Sequence, residues 1–248
     1  VVIKIFFALS AFLITHMLLE QKRKGVVSLK TYFLRRAFRI LPMYYFLLVI
    51  GIVVLPLATV FAYPKACALA SDDFFIYKLL CFLLLVPHFP ELFHYSLPFV
   101  QVSWSVGVEI GFYLIVPFIV VGRFKKKWAL LMSIFIADEV VYYLFKYHVP
   151  LDIPLKSGMV LQCYHFWERL SITSFLAGAV MAVIWHFNYA RVIKLLKGIS
   201  VQLISIVTVA ICLVFDSSVP LLHELCPLGI AILIFNIATN AKSQIKLR

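Results

Sequence analysis

Acidic residues are scarce in this chain. Only 11 of its 248 residues are Asp or Glu, and charged residues of either sign make up 14%. A soluble domain carries about 25% charged residues, so there is too little charge here to solvate a surface of this size. GxGxxG and P-loop glycine patterns are absent, which excludes the common nucleotide cradles. A Gly-x-Ser-x-Gly nucleophile elbow is also missing. The seven histidines are scattered, with no HExxH or HxH spacing, so no metal site is expected. The five cysteines (Cys67, Cys81, Cys163, Cys212 and Cys226) lack CxxC spacing, and most sit in apolar runs as small hydrophobes. No internal repeat, low-complexity tract or soluble domain is present.

What the chain has instead is apolar length. It is 64% hydrophobic and 16% aromatic, with a mean hydropathy of +1.02. Runs of about 17–22 apolar residues recur, each enough to cross a hydrocarbon core of ~30 Å. The expected fold is all-α: a polytopic transmembrane bundle with about seven spans. These fall at roughly 1–19, 41–61, 104–121, 128–147, 170–189, 199–215 and 220–239. Val1 lies inside an apolar stretch, and the chain stops just after another. The sequence is therefore expected to be the middle of a longer protein, a single transmembrane domain over 1–248 truncated at both ends.

In such a protein a net charge of +12 points to loops on one side of a lipid bilayer and away from nucleic acid. The cations gather in four places: Lys22 through Arg39, Arg123 with Lys125–Lys127, Arg191/Lys194/Lys197, and Lys242/Lys246/Arg248. Glu20 is the only acid beside them. Positive-inside bias puts all four in the cytoplasm, so an even number of crossings must separate successive clusters. Between Arg39 and Arg123 three apolar stretches compete. The middle one, residues 74–88, is short and holds Lys78 and Pro87, so it is expected to be re-entrant or peripheral.

Four stretches carry a resemblance. "IFFALSAFLIT" (Ile5–Thr15) is close to FFxLSGFLIT, and "RRAFRILPMYY" (Arg35–Tyr45) to RRxxRIxPxYY. "SWSVGVEIGFYLIVP" (Ser103–Pro117) is close to WSLxxExxFYxxxP, and "RLSITSFLAGAVMA" (Arg169–Ala182) is similar to a span that opens with Arg and carries FxxG. In this order they resemble the membrane-bound acyltransferase 3 family, whose members O-acylate sugars and other acceptors at the cell envelope. Ala11 stands where that family has Gly, a small-for-small exchange that still permits close helix packing. The resemblance implies an enzyme of a bacterial inner membrane that moves an acyl group, probably acetyl, from acyl-CoA to a hydroxyl of an envelope glycan or glycolipid. It also implies a catalytic histidine on a helix preceding Val1. The competing expectation is a transporter or flippase built on a similar bundle; against it, no second short span mirrors 74–88.

Arg36 and Arg39 lie three apart and share a helix face, with Arg35 turned about 100° away from Arg36. Paired guanidiniums clamp phosphates through charge-assisted hydrogen bonds, and the resemblance supplies the phosphates of acyl-CoA as the ligand. Anchoring to lipid phosphates is the plainer role of the same residues. Pro42 fits the first turn of the following span. Ser105, Glu109 and Tyr113 recur at i, i+4 and i+8 as a polar stripe on an apolar helix. A membrane carboxylate there needs an interior partner, such as Arg169 or an arginine on the preceding helix. Glu109, Tyr113 and Ser10 are the candidates for the catalytic site, with Ser10 either hydrogen-bonding the donor or a neighbouring helix. Trp104 and Arg169 are the candidates for acceptor binding; snorkelling to headgroups is the plainer role for Arg169. Asp138 and Glu139 match no motif and imply either cation partners or an irregular helix.

Overall fold

The computed structural model describes residues 2–51, 75–89, 103–122, 127–149, 153–154, 160–161, 163–215 and 220–239. Ten helices occur among them: α1 (Val2–Arg23), α2 (Leu29–Val49), α3 (Phe75–Leu83), α4 (Trp104–Val121), α5 (Lys127–Tyr147), α6 (Cys163–Leu170), α7 (Ile172–His186), α8 (Ala190–Leu196), α9 (Ile199–Phe215) and α10 (Pro220–Thr239). The only strands among the described residues are β1 (Ile153–Pro154) and β2 (Val160–Leu161), an antiparallel pair. The fold is all-α.

Among the described residues, three stretches are long and apolar enough to cross a membrane: Ile3–Arg23, Trp104–Val121 and Phe166–His186. A fourth is added if α8 and α9, bent by 58°, form one span. This is fewer than the seven expected, and the sequence accounts for part of the difference. α2 carries Arg35, Arg36 and Arg39, and the expected span 41–61 runs on beyond the described residues. α5 holds Asp138, Glu139, Lys127 and Lys146, and the apolar part of α10 is only Leu225–Thr239. Large apolar side chains such as Phe38, Ile76, Ile199 and Val214 are exposed, as suits a surface bathed in lipid.

The chain divides into two compact units. The first comprises Val1–Val27, Leu114–Val140 and Ser171–Arg248, and its centre is the packing of α1 on α7. The two run in the same direction: Phe7 stacks on Phe175 at 4.4 Å, and His16 on Trp185 at 4.2 Å. Gly178 lies so close to α1 that a Cβ would stand 2.1 Å from the Ala8 carbonyl oxygen and 3.1 Å from Ala11 Cβ. Motifs one and four are therefore the two halves of one helix crossing, and Ala11 is the small residue facing Gly178. α10 joins them through Phe235 and Ala231, packed with Phe12, Ala177 and Ala182.

Helix ends in this unit are closed by hydrogen bonds. Gly25, at φ 68°, takes the left-handed position after α1, where Val26 N donates to Gln21 O. Asn188, at φ 50°, does the same after α7. Lys22 Nζ donates to the carbonyls of Val121 at 2.7 Å and Gly122 at 3.0 Å, satisfying the free C-terminal end of α4. His186 approaches Glu20 at 3.4 Å, and Lys197 Nζ donates to Thr239 O at 3.3 Å. Within this unit, then, the C-terminal ends of α1 and α4 meet, as do those of α1 and α7 and those of α8 and α10. A cationic cluster lies at or follows each of these ends. If that end is cytoplasmic, single cysteines placed at 22–30, 123–127, 191–197 and 242–248 will all resist an impermeant thiol reagent in intact cells. Labelling of any one from outside would break the charge assignment.

The second unit comprises Ser28–Tyr113 and Val141–Leu170. Ser28 caps α2, its Oγ accepting from Thr31 N. α2 then runs unbroken through Pro42, so Pro42 does not open a new span as expected. A proline inside a helix costs about 3 kcal/mol, and here the helix is anchored on both sides of it. Tyr32 bonds α4 before it, and the two tyrosines of the second motif bond α3 after it. Tyr44 O–H donates to Phe82 O at 2.8 Å and Tyr45 O–H to Leu83 O at 3.0 Å, taking up carbonyls at the end of α3. With nine residues, α3 reaches only about 13 Å, too short to cross. The turn after it brings Pro87 and His88 against α4, where a Cβ on Gly107 would stand 2.6 Å from Pro87 Cδ and 2.8 Å from His88 Nδ1.

Candidate active site

Motifs two and three meet in the second unit. Arg36 and Tyr32, four apart on α2, share a helix face, and that face lies against Tyr113 of α4. The Arg36 guanidinium carbon sits over both aromatic rings, 5.8 Å from the centre of Tyr32 and 5.5 Å from that of Tyr113, within the range of cation–π attraction. Tyr32 is buried at 4% exposure, and its O–H donates to Tyr113 O at 3.3 Å. Burial pushes the Tyr32 phenol up to about 12, with the Arg36 charge pulling the other way, so it stays a donor at neutral pH.

Glu109 is 6% exposed and accepts a hydrogen bond from Tyr113 O–H. The stripe expected on α4 is thus an internal i, i+4 pair that turns its far end toward Arg36. The result is a chain of polar groups in an apolar setting: Glu109, Tyr113 and Arg36, with Tyr32 beneath. It offers a carboxylate, a phenol and a guanidinium. A guanidinium keeps its N–H donors in the plane of the fork while its faces lie on rings, so this one can hold an anion in a fixed orientation.

The remaining candidates fall elsewhere. Arg35 and Arg39 are exposed on α2, whereas Arg36 is half-buried; the three arginines are not equivalent. Ser10 is half-buried on α1, in the first unit. Trp104 is half-buried at the first residue of α4, in the second. Arg169 lies on α6, and its side chain is outside the described residues. α5 is a regular helix, not an irregular one. Its Asp138 accepts from Thr173 Oγ1 at 3.0 Å, a neutral hydroxyl partner that holds a buried acid within the first unit. His88 Nδ1 is buried without a hydrogen-bond partner, beside Phe89 and Phe166.

The acyltransferase 3 family, described as an acyltransferase domain, matches residues 2–245. The chain belongs to this family. No curated protein and no solved structure matches it significantly. As an acyltransferase 3 family member it has its four motif stretches in two pairs. The first pair is a packing contact between α1 and α7, and the second is a polar cluster between α2 and α4. Tyr32 is part of that cluster but was missed from the sequence. The signal for it was its i, i+4 spacing from Arg36.

Proposed function

We propose that this is the catalytic transmembrane domain of a bacterial inner-membrane O-acyltransferase with about seven spans. It takes acetyl from acetyl-CoA at the cytoplasmic face and passes it to a hydroxyl of an envelope carbohydrate or glycolipid. In that reaction a base removes the acceptor proton and the acceptor oxygen forms a bond to the acyl carbonyl carbon. The carbon–sulfur bond breaks, and the CoA sulfur leaves with the electron pair and takes up a proton. Arg36 and Arg39 hold the phosphates of the donor. Glu109 and Tyr113 orient the reacting groups, Ser10 adds a hydrogen bond, and Trp104 and Arg169 contact the acceptor. The observation that carries the proposal is the seating of Arg36 against Tyr113 and its Glu109 partner, in a chain of this family.

The test is a set of single Arg→Lys substitutions in the full-length enzyme, each with acetyl-CoA kinetics. Lysine keeps the charge and loses the fork. Arg36→Lys is expected to raise the KM for acetyl-CoA about tenfold or more, because losing one charge-assisted pair costs ~1.5–3 kcal/mol. Arg39→Lys is expected to raise it less, since that side chain is exposed, and Arg35→Lys to change it little. Equal tolerance at all three positions would leave only lipid anchoring, and equal damage at all three would indicate a folding effect.

A further inference from the structure

We propose that Tyr32 is a positioning residue for donor binding. Together with Tyr113 it fixes the Arg36 guanidinium, and this makes Arg36, and not Arg39, the principal ligand of the acyl-CoA phosphates. The inference rests on the reading of Arg36 as a donor ligand and deepens it. Tyr32 precedes the arginine motif and is tied at two points. Its ring lies under the Arg36 guanidinium at 5.8 Å, and its hydroxyl is bonded to the Tyr113 carbonyl of α4. Burial at 4% exposure removes the freedom of that ring to swing away. Tyr113 supplies the second ring at 5.5 Å and is itself held by Glu109. Arg36 is therefore the only one of the three arginines with an aromatic ring within cation–π reach among the described residues. An unrestrained arginine gives up most of its rotamer freedom when it grips a ligand. One that is already ordered loses less, and the saving appears as affinity.

The experiment is acetyl-CoA kinetics on the full-length enzyme with Tyr32→Leu and Tyr32→Phe, each made alone and in an Arg36→Gln background. Tyr32→Leu is expected to raise the acetyl-CoA KM about tenfold while kcat stays within about twofold, in line with a desolvated cation–π contact. Tyr32→Phe keeps the ring and is expected to recover most of that loss. In the Arg36→Gln background the Tyr32→Leu effect on KM is expected to vanish, because a residue acting through Arg36 has nothing left to position. If Tyr32→Leu folds poorly, Tyr32→Met keeps the apolar volume without a ring face and carries the same test. An unchanged KM in Tyr32→Leu, alongside a raised KM in Arg36→Lys, would overturn the positioning role and leave the donor reading standing. An undiminished Tyr32→Leu effect in the Arg36→Gln background would also overturn it. An unchanged KM in Arg36→Lys would bring down the donor reading, and this inference with it.

Discussion

Glu109→Gln is expected to cut activity about ten- to a hundred-fold while the melting temperature in detergent stays within a few degrees of wild type. Glutamine keeps the carbonyl oxygen that accepts from Tyr113, so the i, i+4 bond survives and α4 packs as before. What it loses is the charge. A hydrogen bond to a charged group is worth ~1.5–3 kcal/mol, against about 1 for a neutral pair. In an apolar setting that difference falls on whatever Tyr113 and Arg36 are holding. Glu109→Leu removes the acceptor as well and strands the Tyr113 hydroxyl, so about 1–3 kcal/mol of stability should go with the activity. Measuring folded yield, melting and turnover on one preparation separates these effects. Normal activity in Glu109→Gln would mean that the third motif marks packing alone. A melting temperature that collapses in Glu109→Gln would mean that the carboxylate holds the fold through its charge.

The helical, membrane-embedded character was legible because 3.6-residue patterning and hydropathy are local properties. The polar stripe Ser105/Glu109/Tyr113 was legible for the same reason: spacing along one helix fixes which side chains can meet. Motif order pointed to the family, but the sequence could not say which motif packs against which. An arginine on another helix is the partner expected for Glu109 from sequence, because an unpaired membrane carboxylate is costly. Tyr113, one turn away on the same helix, donates to that carboxylate, and the Arg169 side chain lies outside the described residues. Arg36 and Arg39 looked equivalent by spacing, and it took the position of α4 to distinguish them. The reversal at Pro42 has a similar origin. Local rules favour a helix start at proline, whereas contacts from Tyr32, Tyr44 and Tyr45 keep α2 whole through it. The number of spans is the part least fixed by local pattern, since charged residues on α2 and α5 and the bend between α8 and α9 blur it.

Gly178→Leu is expected to abolish folded protein, and Gly178→Ala to lower the melting temperature markedly. At this position a Cβ would stand 2.1 Å from the Ala8 carbonyl oxygen and 2.9 Å from its carbon. Both are backbone atoms of a helix and cannot rotate aside as a side chain would, so α1 and α7 must separate. Within a membrane that separation is expensive in a particular way. Lipid tails are as apolar as the core, so helix association depends on close packing more than on escape from water. Moving the helices apart loosens the Phe7–Phe175 and His16–Trp185 stacks together. Overpacking by one methyl costs ~1–3 kcal/mol, and a leucine demands far more displacement. Gly111→Ala is the control: a Cβ there has no neighbour within 4 Å among the described residues, and replacing a helical glycine gains up to about 1 kcal/mol of helix propensity. Its melting temperature should therefore stay level or rise. If Gly178→Ala and Gly111→Ala melted alike, the α1–α7 crossing would not be what holds the first unit together, and the FxxG of the fourth motif would need another explanation.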